Sequence, residues 1–164
     1  MFSQTIEYAL RAMMHLASLP PGATVNSEDI AAATKVPQRY LSKVLRDLVL
    51  AELITSQRGP RGGFCLRGTP AEVSMLDVVN AVDPIARLQG CPLGNPSHSK
   101  LCALHQRIDN ALDLIENAFR STSLELVLRD LNTGPSRCQA LLIPGPAGAP
   151  KAGIVPTIST PRKA

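Results

Sequence analysis

Residues 26–67 hold the pattern that most restricts what this chain can become. A short capped apolar segment is followed by a tight break at Lys35-Val36-Pro37 and a second apolar-striped segment. The turn Gln57-Arg58-Gly59-Pro60-Arg61-Gly62 then separates two extended runs. Asn26, with Glu28 and Asp29 in the turn after it, is an N-cap pattern. A side-chain oxygen there can accept the orphan backbone N–H groups, and acids suit the positive end of the helix dipole. Ile30, Ala31 and Ala33 supply the packing side of a helix over 27–34. Pro37 fits the first position of the next helix, where a missing N–H costs nothing. Over 37–51, Leu41, Val44, Leu45 and Leu48 recur at steps of three and four, while Gln38, Arg39, Ser42, Lys43 and Arg46 fall on the opposite face. The runs 53–56 and 63–67 alternate as strands do, and the Gly/Pro stretch between them predicts a β-hairpin with two arginines at its tip.

The flanks are helical. Over 4–18, Ile6, Leu10, Met13, Met14 and Ala17 keep helical spacing until Pro20-Pro21-Gly22. Over 74–82, Ser74 and Asp77 stand as a capping pair, Leu76, Val79 and Val82 face inward, and Asp83-Pro84 stops the helix. Residues 85–101 are irregular. A longer helix over 101–120 carries Leu104, Ile108, Ala111/Leu112, Ile115 and Phe119, and would be roughly 30 Å long. Thr122 and Glu125 have capping-box spacing and open a last short helix with Leu124, Val127, Leu128 and Leu131 inside. From Asn132 the composition shifts: six of the fourteen prolines and no aromatic lie in 132–164, which reads as a disordered Pro/Gly-rich tail. Aromatics are 3% of the chain and Trp is absent, so the core must be aliphatic.

The fold class expected is mainly α with a small β-hairpin. A winged helix-turn-helix domain spans 1–84, a Cys/His loop with a long dimerisation helix spans 85–131, and the tail follows. No uncharged apolar run reaches the ~18 residues of a membrane span. The start, Met1 to Glu7, lacks the basic segment of a secretory signal. A cytoplasmic protein is expected.

Charge points to the partner. Residues 35–67 hold Lys35, Arg39, Lys43, Arg46, Arg58, Arg61 and Arg67 against Asp47 and Glu52, a net +5 in a chain of net +4, which leaves the remainder at −1. Concentrated positive charge on a near-neutral body suits a polyanion. A helix fits the DNA major groove, and Gln38, Arg39, Tyr40, Ser42 and Lys43 lie in the first half of the third helix, where side chains reach base edges. Tyr40 reads more readily as a partly buried packing residue than as a base contact. Arg58 and Arg61 can follow the backbone or enter a narrow minor groove.

The same residues carry a family likeness. Glu7-Tyr8-Ala9-Leu10-Arg11-Ala12 is one matching piece, and Ile30-Ala31 with Val36-Pro37-Gln38-Arg39-Tyr40-Leu41 is another. Arg58-Gly59-Pro60-Arg61-Gly62-Gly63-Phe64 is the most specific, and Leu76-Asp77-Val78-Val79-Asn80-Ala81-Val82 completes the set. On these the chain, over about 1–131, resembles the winged-helix regulators that include the iron–sulfur regulator IscR, the nitric oxide sensor NsrR and the cysteine-metabolism regulator CymR. The resemblance implies a homodimer joined through the long C-terminal helix. It also implies a pseudo-palindromic double-stranded operator, and Arg58 in the minor groove.

Cys91, His98, Cys102 and His105 form the spacing C-x6-H-x3-C-x2-H. Thiolate and imidazole ligate zinc or iron–sulfur clusters, and residues three apart at a helix start can point the same way. Cluster-binding members of the resembled family carry three cysteines here. Cys91 and Cys102 match the first and last, while Ser97-His98 stands at the middle one. The site implied has two cysteines, completed by His98, by His105 or by Glu7 of the first helix. An iron–sulfur cluster such as [2Fe-2S], zinc, a purely thiol-based sensor and two packing cysteines without cofactor all stay open. Cys65, Cys138 and His15 read as structural or incidental.

A winged-helix protein-interaction module without sequence-specific DNA binding is the competing reading, against which the concentrated positive charge speaks. An enzyme is not expected. No Ser/His/Asp set or paired carboxylates near a His are present, and the glycine-rich turn does not open a helix as a phosphate loop would.

Overall fold

The computed structural model describes residues 2–59, 62–90 and 101–133. Arg61, Cys91, His98 and the expected tail from 134 onward therefore lie outside the described residues. The element order is α1 (Gln4–Ala17), α2 (Ser27–Thr34), α3 (Gln38–Leu50), β1 (Ile54–Gln57), β2 (Gly63–Leu66), α4 (Met75–Val82), α5 (Ala103–Arg120) and α6 (Leu124–Thr133). This is the mainly helical winged helix-turn-helix fold with a two-stranded antiparallel hairpin that the sequence predicts.

One aliphatic core joins the elements. Ala9, Ala12, Met13 and Leu16 of α1 meet Ile30 of α2, Leu41, Val44, Leu45 and Leu48 of α3, Ile54 of β1 and Val78 of α4. Leu124 of α6 is fully buried in the same cluster, so the chain returns to the winged domain after α5. Backbone bonds fasten that return: Met75 N–H donates to Thr122 C=O, and Leu124 N–H to Val73 C=O.

Local chemistry sets the boundaries. Asn26 caps α2 by accepting from Asp29 N–H at 2.8 Å. Ser74 and Asp77 form a reciprocal capping box on α4. Lys35 adopts φ 55°, ψ 32°, the left-handed turn that reverses the chain between α2 and α3. Pro37 is the N-cap of α3 and not its first helical residue. Its backbone is still extended at ψ 130°, while its carbonyl accepts from Tyr40 and Leu41 N–H. Cys102 is likewise the N-cap of α5, which begins at Ala103 and not at 101. α6 is capped by Ser123 and not Thr122: Ser123 Oγ accepts from Leu126 N–H, whereas Thr122 Oγ1 donates back to Ala118 C=O of α5. Asn132 and Thr133 belong to α6, where Thr133 Oγ1 donates to Arg129 C=O, so the helix runs two residues into the stretch read as tail.

The hairpin pairs Ile54 with Leu66, Thr55 with Cys65, Ser56 with Phe64 and Gln57 with Gly63. Val25 adds a single antiparallel bridge, exchanging both backbone bonds with Phe64 at 2.8 and 3.0 Å. That approach explains Gly63, since a Cβ there would lie 2.5 Å from the Val25 carbonyl oxygen. At the tip Gly59 takes φ 113°, and its carbonyl accepts from Gly62 N–H at 2.8 Å.

Candidate nucleic-acid interface and the Cys/His pair

α3 separates its two faces cleanly. Leu41, Val44, Leu45 and Leu48 are buried, and Gln38, Arg39, Tyr40, Ser42, Lys43 and Arg46 are exposed together. A helix with one face locked in the core holds its other face rigidly, as reading a groove requires. The exposed side chains differ in how they are held. Ser42 donates its hydroxyl proton to Gln38 C=O at 3.0 Å, so in this rotamer it offers DNA an acceptor. Lys43 stands 3.8 Å from Asp47, and Arg46 reaches the same carboxylate at 3.4 Å. Both ammonium and guanidinium remain largely exposed, and at such exposure an ion pair is weak enough to be exchanged for phosphate. Arg39 rests on the Tyr40 ring, with its guanidinium carbon 4.6 Å from the centroid. Arg58 is exposed at the hairpin tip beside Gly59. Arg67, counted in the basic segment, pairs with Glu52 at 2.9 Å.

The second candidate site is represented by part of its set. Cys102 Sγ lies 3.4 Å from His105 Nδ1 at the start of α5, both half-buried. The helix start brings a thiol and an imidazole together, a donor pair suited to zinc or iron–sulfur ligation and equally to thiol redox chemistry. Glu7 is exposed on α1, and its carboxylate is held by Arg11 at 2.6 and 3.0 Å, contacts that a ligand role would have to replace. Among the described residues no group of three or more His, Cys, Asp or Glu side chains converges as a metal site. Cys65 is buried in the wing strand, with its thiol donating to Leu66 C=O. His15 is buried in α1 with neither ring nitrogen hydrogen-bonded among the described residues. Desolvation pushes its pKa down, only partly opposed by attraction from Asp29, so its neutral form packs there.

A cluster that sequence reading missed fastens α5. Arg87, in the segment after α4, donates from Nε and Nη2 to both Asp109 oxygens at 2.8 Å, and from Nη1 to Asp113 at 2.7 Å and Glu116 at 3.1 Å. Leu88 N–H also donates to Asp109 at 3.0 Å. These donors, led by Arg87, hold the Asp109 carboxyl down at about 2. Asp109, Asp113 and Glu116 recur at steps of four and three, so the available signal was an acidic stripe calling for a cation. The apolar side chains of α5 find less cover. Phe119 meets Phe2 with ring centroids 5.2 Å apart, and Leu112 and Ile115 line a groove with Ile6 and Ile85. Leu104, Ile108 and Leu114 are exposed.

Comparison with known proteins agrees with this geometry. Residues 2–130 match the family Rrf2, described as an iron-dependent transcriptional regulator. A sequence from Mycobacterium tuberculosis named as an HTH-type transcriptional regulator is 37% identical over 98 residues, 59% of this chain and 61% of that one. The match thus spans about three-fifths of that relative's length. The HTH-type transcriptional regulator NsrR of Geobacillus kaustophilus is 30% identical over 127 residues, covering 76% of this chain and 86% of its own. Among solved structures, IscR of T. potens superposes with a TM-score of 0.69 at 20% identity, covering 83% of this chain and 91% of the other, a likeness of fold. The relatives are regulators and not enzymes. Among the described residues no helix is long and apolar enough to cross a membrane.

Proposed function

This chain belongs to the Rrf2 family of transcriptional regulators, and we propose that it acts as a cytoplasmic homodimer on a pseudo-palindromic double-stranded operator. The observation that carries the DNA half is the two-faced α3, with its apolar side buried in the core and Gln38, Arg39, Tyr40, Ser42 and Lys43 exposed together. In this reading α3 enters the major groove and Lys43 neutralises a phosphate. Arg58, with Arg61 beside it in sequence, follows the minor groove. Two-fold symmetry then spaces the half-sites by about one helical turn or a multiple of it. The exposed Leu104 and Ile108 of α5, neighbours at a helical step of four, support the dimer, because apolar side chains so exposed on a helix are stabilised when a second surface covers them.

DNA affinity is, in this reading, set by the state of the Cys/His site. Cys102 and His105 are two of its donors, with Cys91 and then His98 or Glu7 completing it. An iron–sulfur cluster or zinc bound there would supply ligation that changes with redox state or competing ligands. Without a metal, the Cys102–His105 pair supplies a thiol held against an imidazole. The iron dependence in the family's description supports the metal form.

Fluorescence anisotropy on a labelled duplex across a range of salt tests the DNA half. Binding should weaken steeply with salt. Lys43→Ala should reduce the log–log slope by about 1 while weakening all sequences alike. Arg58→Ala should weaken A/T-rich duplexes most. A protein that shows no salt-dependent retention on any duplex refutes the reading.

A further inference from the structure

The chain has two tyrosines, and they meet. Tyr8 of α1 lies 6.0 Å from Tyr40 of α3, centroid to centroid, at 45°. Tyr40 in turn holds its neighbour. The Arg39 guanidinium carbon sits 4.6 Å from the ring centroid, and Arg39 Nη2 donates to Tyr40 Oη at 3.0 Å. An arginine on an exposed helix face ordinarily samples many rotamers, and that freedom is lost on binding. Here a cation–π contact and a hydrogen bond fix the guanidinium in advance, on a ring that is itself packed against α1. The Tyr40 hydroxyl occupies one of five guanidinium donors, so a donor edge remains open. Arg39 is also in the first turn of α3, the part of a recognition helix that reaches base edges.

We propose that Arg39 is the base-reading residue of α3, taking the O6/N7 edge of a guanine in the major groove, and that Tyr40 is its positioning residue and not itself a DNA contact. Resting on the DNA-binding reading above, this divides the exposed face of α3 between one reader and the support that aims it. Tyr40 is 45% exposed yet already committed on two sides, to Tyr8 and to Arg39. The contact with Arg39 is between consecutive residues, so it moves with the helix and keeps the guanidinium in register as α3 enters the groove.

The test is a double-mutant cycle on duplexes that the wild-type protein selects from a random-sequence pool. Each base pair of a half-site is then changed in turn, and affinity is measured at fixed salt for wild type, Arg39→Ala, Tyr40→Leu, Tyr40→Phe and the Arg39→Ala/Tyr40→Leu pair. Arg39→Ala should flatten the preference at one G·C pair per half-site by about ten-fold. Tyr40→Leu should lose part of the preference at that same pair and at no other, and should add nothing once Arg39 is alanine. Tyr40→Phe, which keeps the ring and loses the hydroxyl bond, should fall between wild type and Tyr40→Leu. Circular dichroism melts confirm that each variant is folded. Should Tyr40→Leu fail to fold, the Tyr40→Phe comparison decides. The proposal is overturned if Arg39→Ala leaves base preference intact. It is equally overturned if a Tyr40 variant weakens every sequence alike, or adds its full loss in the Arg39→Ala background, since Tyr40 would then touch DNA directly. If the wild-type protein selects no sequence, the DNA-binding reading itself has failed.

Discussion

α3 and α5 carry the same kind of sequence pattern and reach opposite ends. Each has apolar residues at steps of three and four and polar residues between them. In α3 the four stripe residues are each 1% exposed or less. In α5 the buried side chain is an acid, Asp109; of its apolar stripe Leu104 and Ile108 stand out at 65% and 43%, and Leu112, Ile115 and Phe119 are half-buried. Periodicity therefore identifies a helix and its apolar face without saying which molecule covers that face. α3 is held by hydrophobic burial inside one chain. α5 is held to its own chain by the Arg87 cluster together with Leu112, Ile115 and Phe119, and leaves Leu104 and Ile108 nearer its start open to a second surface.

Substitutions in the two stripes should separate these roles most sharply. Leu45→Ala removes a fully enclosed side chain at the centre of the core and should cost about 2–5 kcal/mol of folding stability, measured by urea denaturation. Ile108→Glu should cost each subunit far less folding stability, since 43% of the residue is already exposed in the single chain. It should convert the proposed dimer to monomer by light scattering and so weaken operator binding. A loss of folding in Ile108→Glu comparable to that of Leu45→Ala would erase the distinction between the helices.

The contrast also marks what was legible in the sequence. The stripe of α3, the Asn26 cap and the Ser74/Asp77 box were readable because each is built from steps of four residues or fewer along the chain. The hairpin was readable because its turn chemistry is local, but the Val25–Phe64 bridge, nearly forty residues apart in sequence, was not. The Arg87 cluster spans separations of 22, 26 and 29 residues. Spacing rules could flag its acidic stripe but not name the cation that meets it. At the candidate site the Cys102–His105 contact follows from a three-residue helical step. The hold of Tyr40 on Arg39 could not be read, because adjacent residues on a helix do not ordinarily face each other.

The polar fastening of α5 gives a pH-dependent test. Arg87 holds the Asp109 carboxyl at about 2, below the ordinary carboxylate value of ~4. A group depressed in the folded state contributes stability that is fully present above its unfolded pKa and is lost as pH falls through its folded one. Wild-type stability should therefore fall between about pH 4 and pH 2, in part through Asp109. Arg87→Ala should lower the melting temperature at pH 7, because it leaves three carboxylates together without their cation. The gap to wild type should narrow as pH falls toward 2 and the Asp109 carboxylate is progressively protonated. A gap of constant size across that range would mean that Arg87 contributes by packing its aliphatic stem and not by charge.

The smallest effect concerns the joint where α5 hands the chain back to the core. Two adjacent hydroxyls stand there, with different duties. Thr122 Oγ1 satisfies a carbonyl at the end of α5, and Ser123 Oγ accepts an orphan N–H at the start of α6. A helix-terminal carbonyl near the surface finds water readily, whereas N-cap acceptors fix both a donor and the direction from which the chain enters the helix. Ser123→Ala should accordingly cost about 1 kcal/mol, and Thr122→Ala less. The two differ further in where the loss is felt. Leu124 follows Ser123 directly and is fully buried in the core cluster, where α6 packs on α1, so fraying at the start of α6 loosens the core of the winged domain. Native-state hydrogen exchange should show the difference. Ser123→Ala should speed exchange at Leu126 and at Leu124, whose N–H bonds to Val73, while leaving amides at the centre of α5 protected. Equal costs for the two alanines, or faster exchange spreading into α5 in the Ser123 variant, would mean that the two helices melt as one unit and that the boundary between core and interface lies elsewhere.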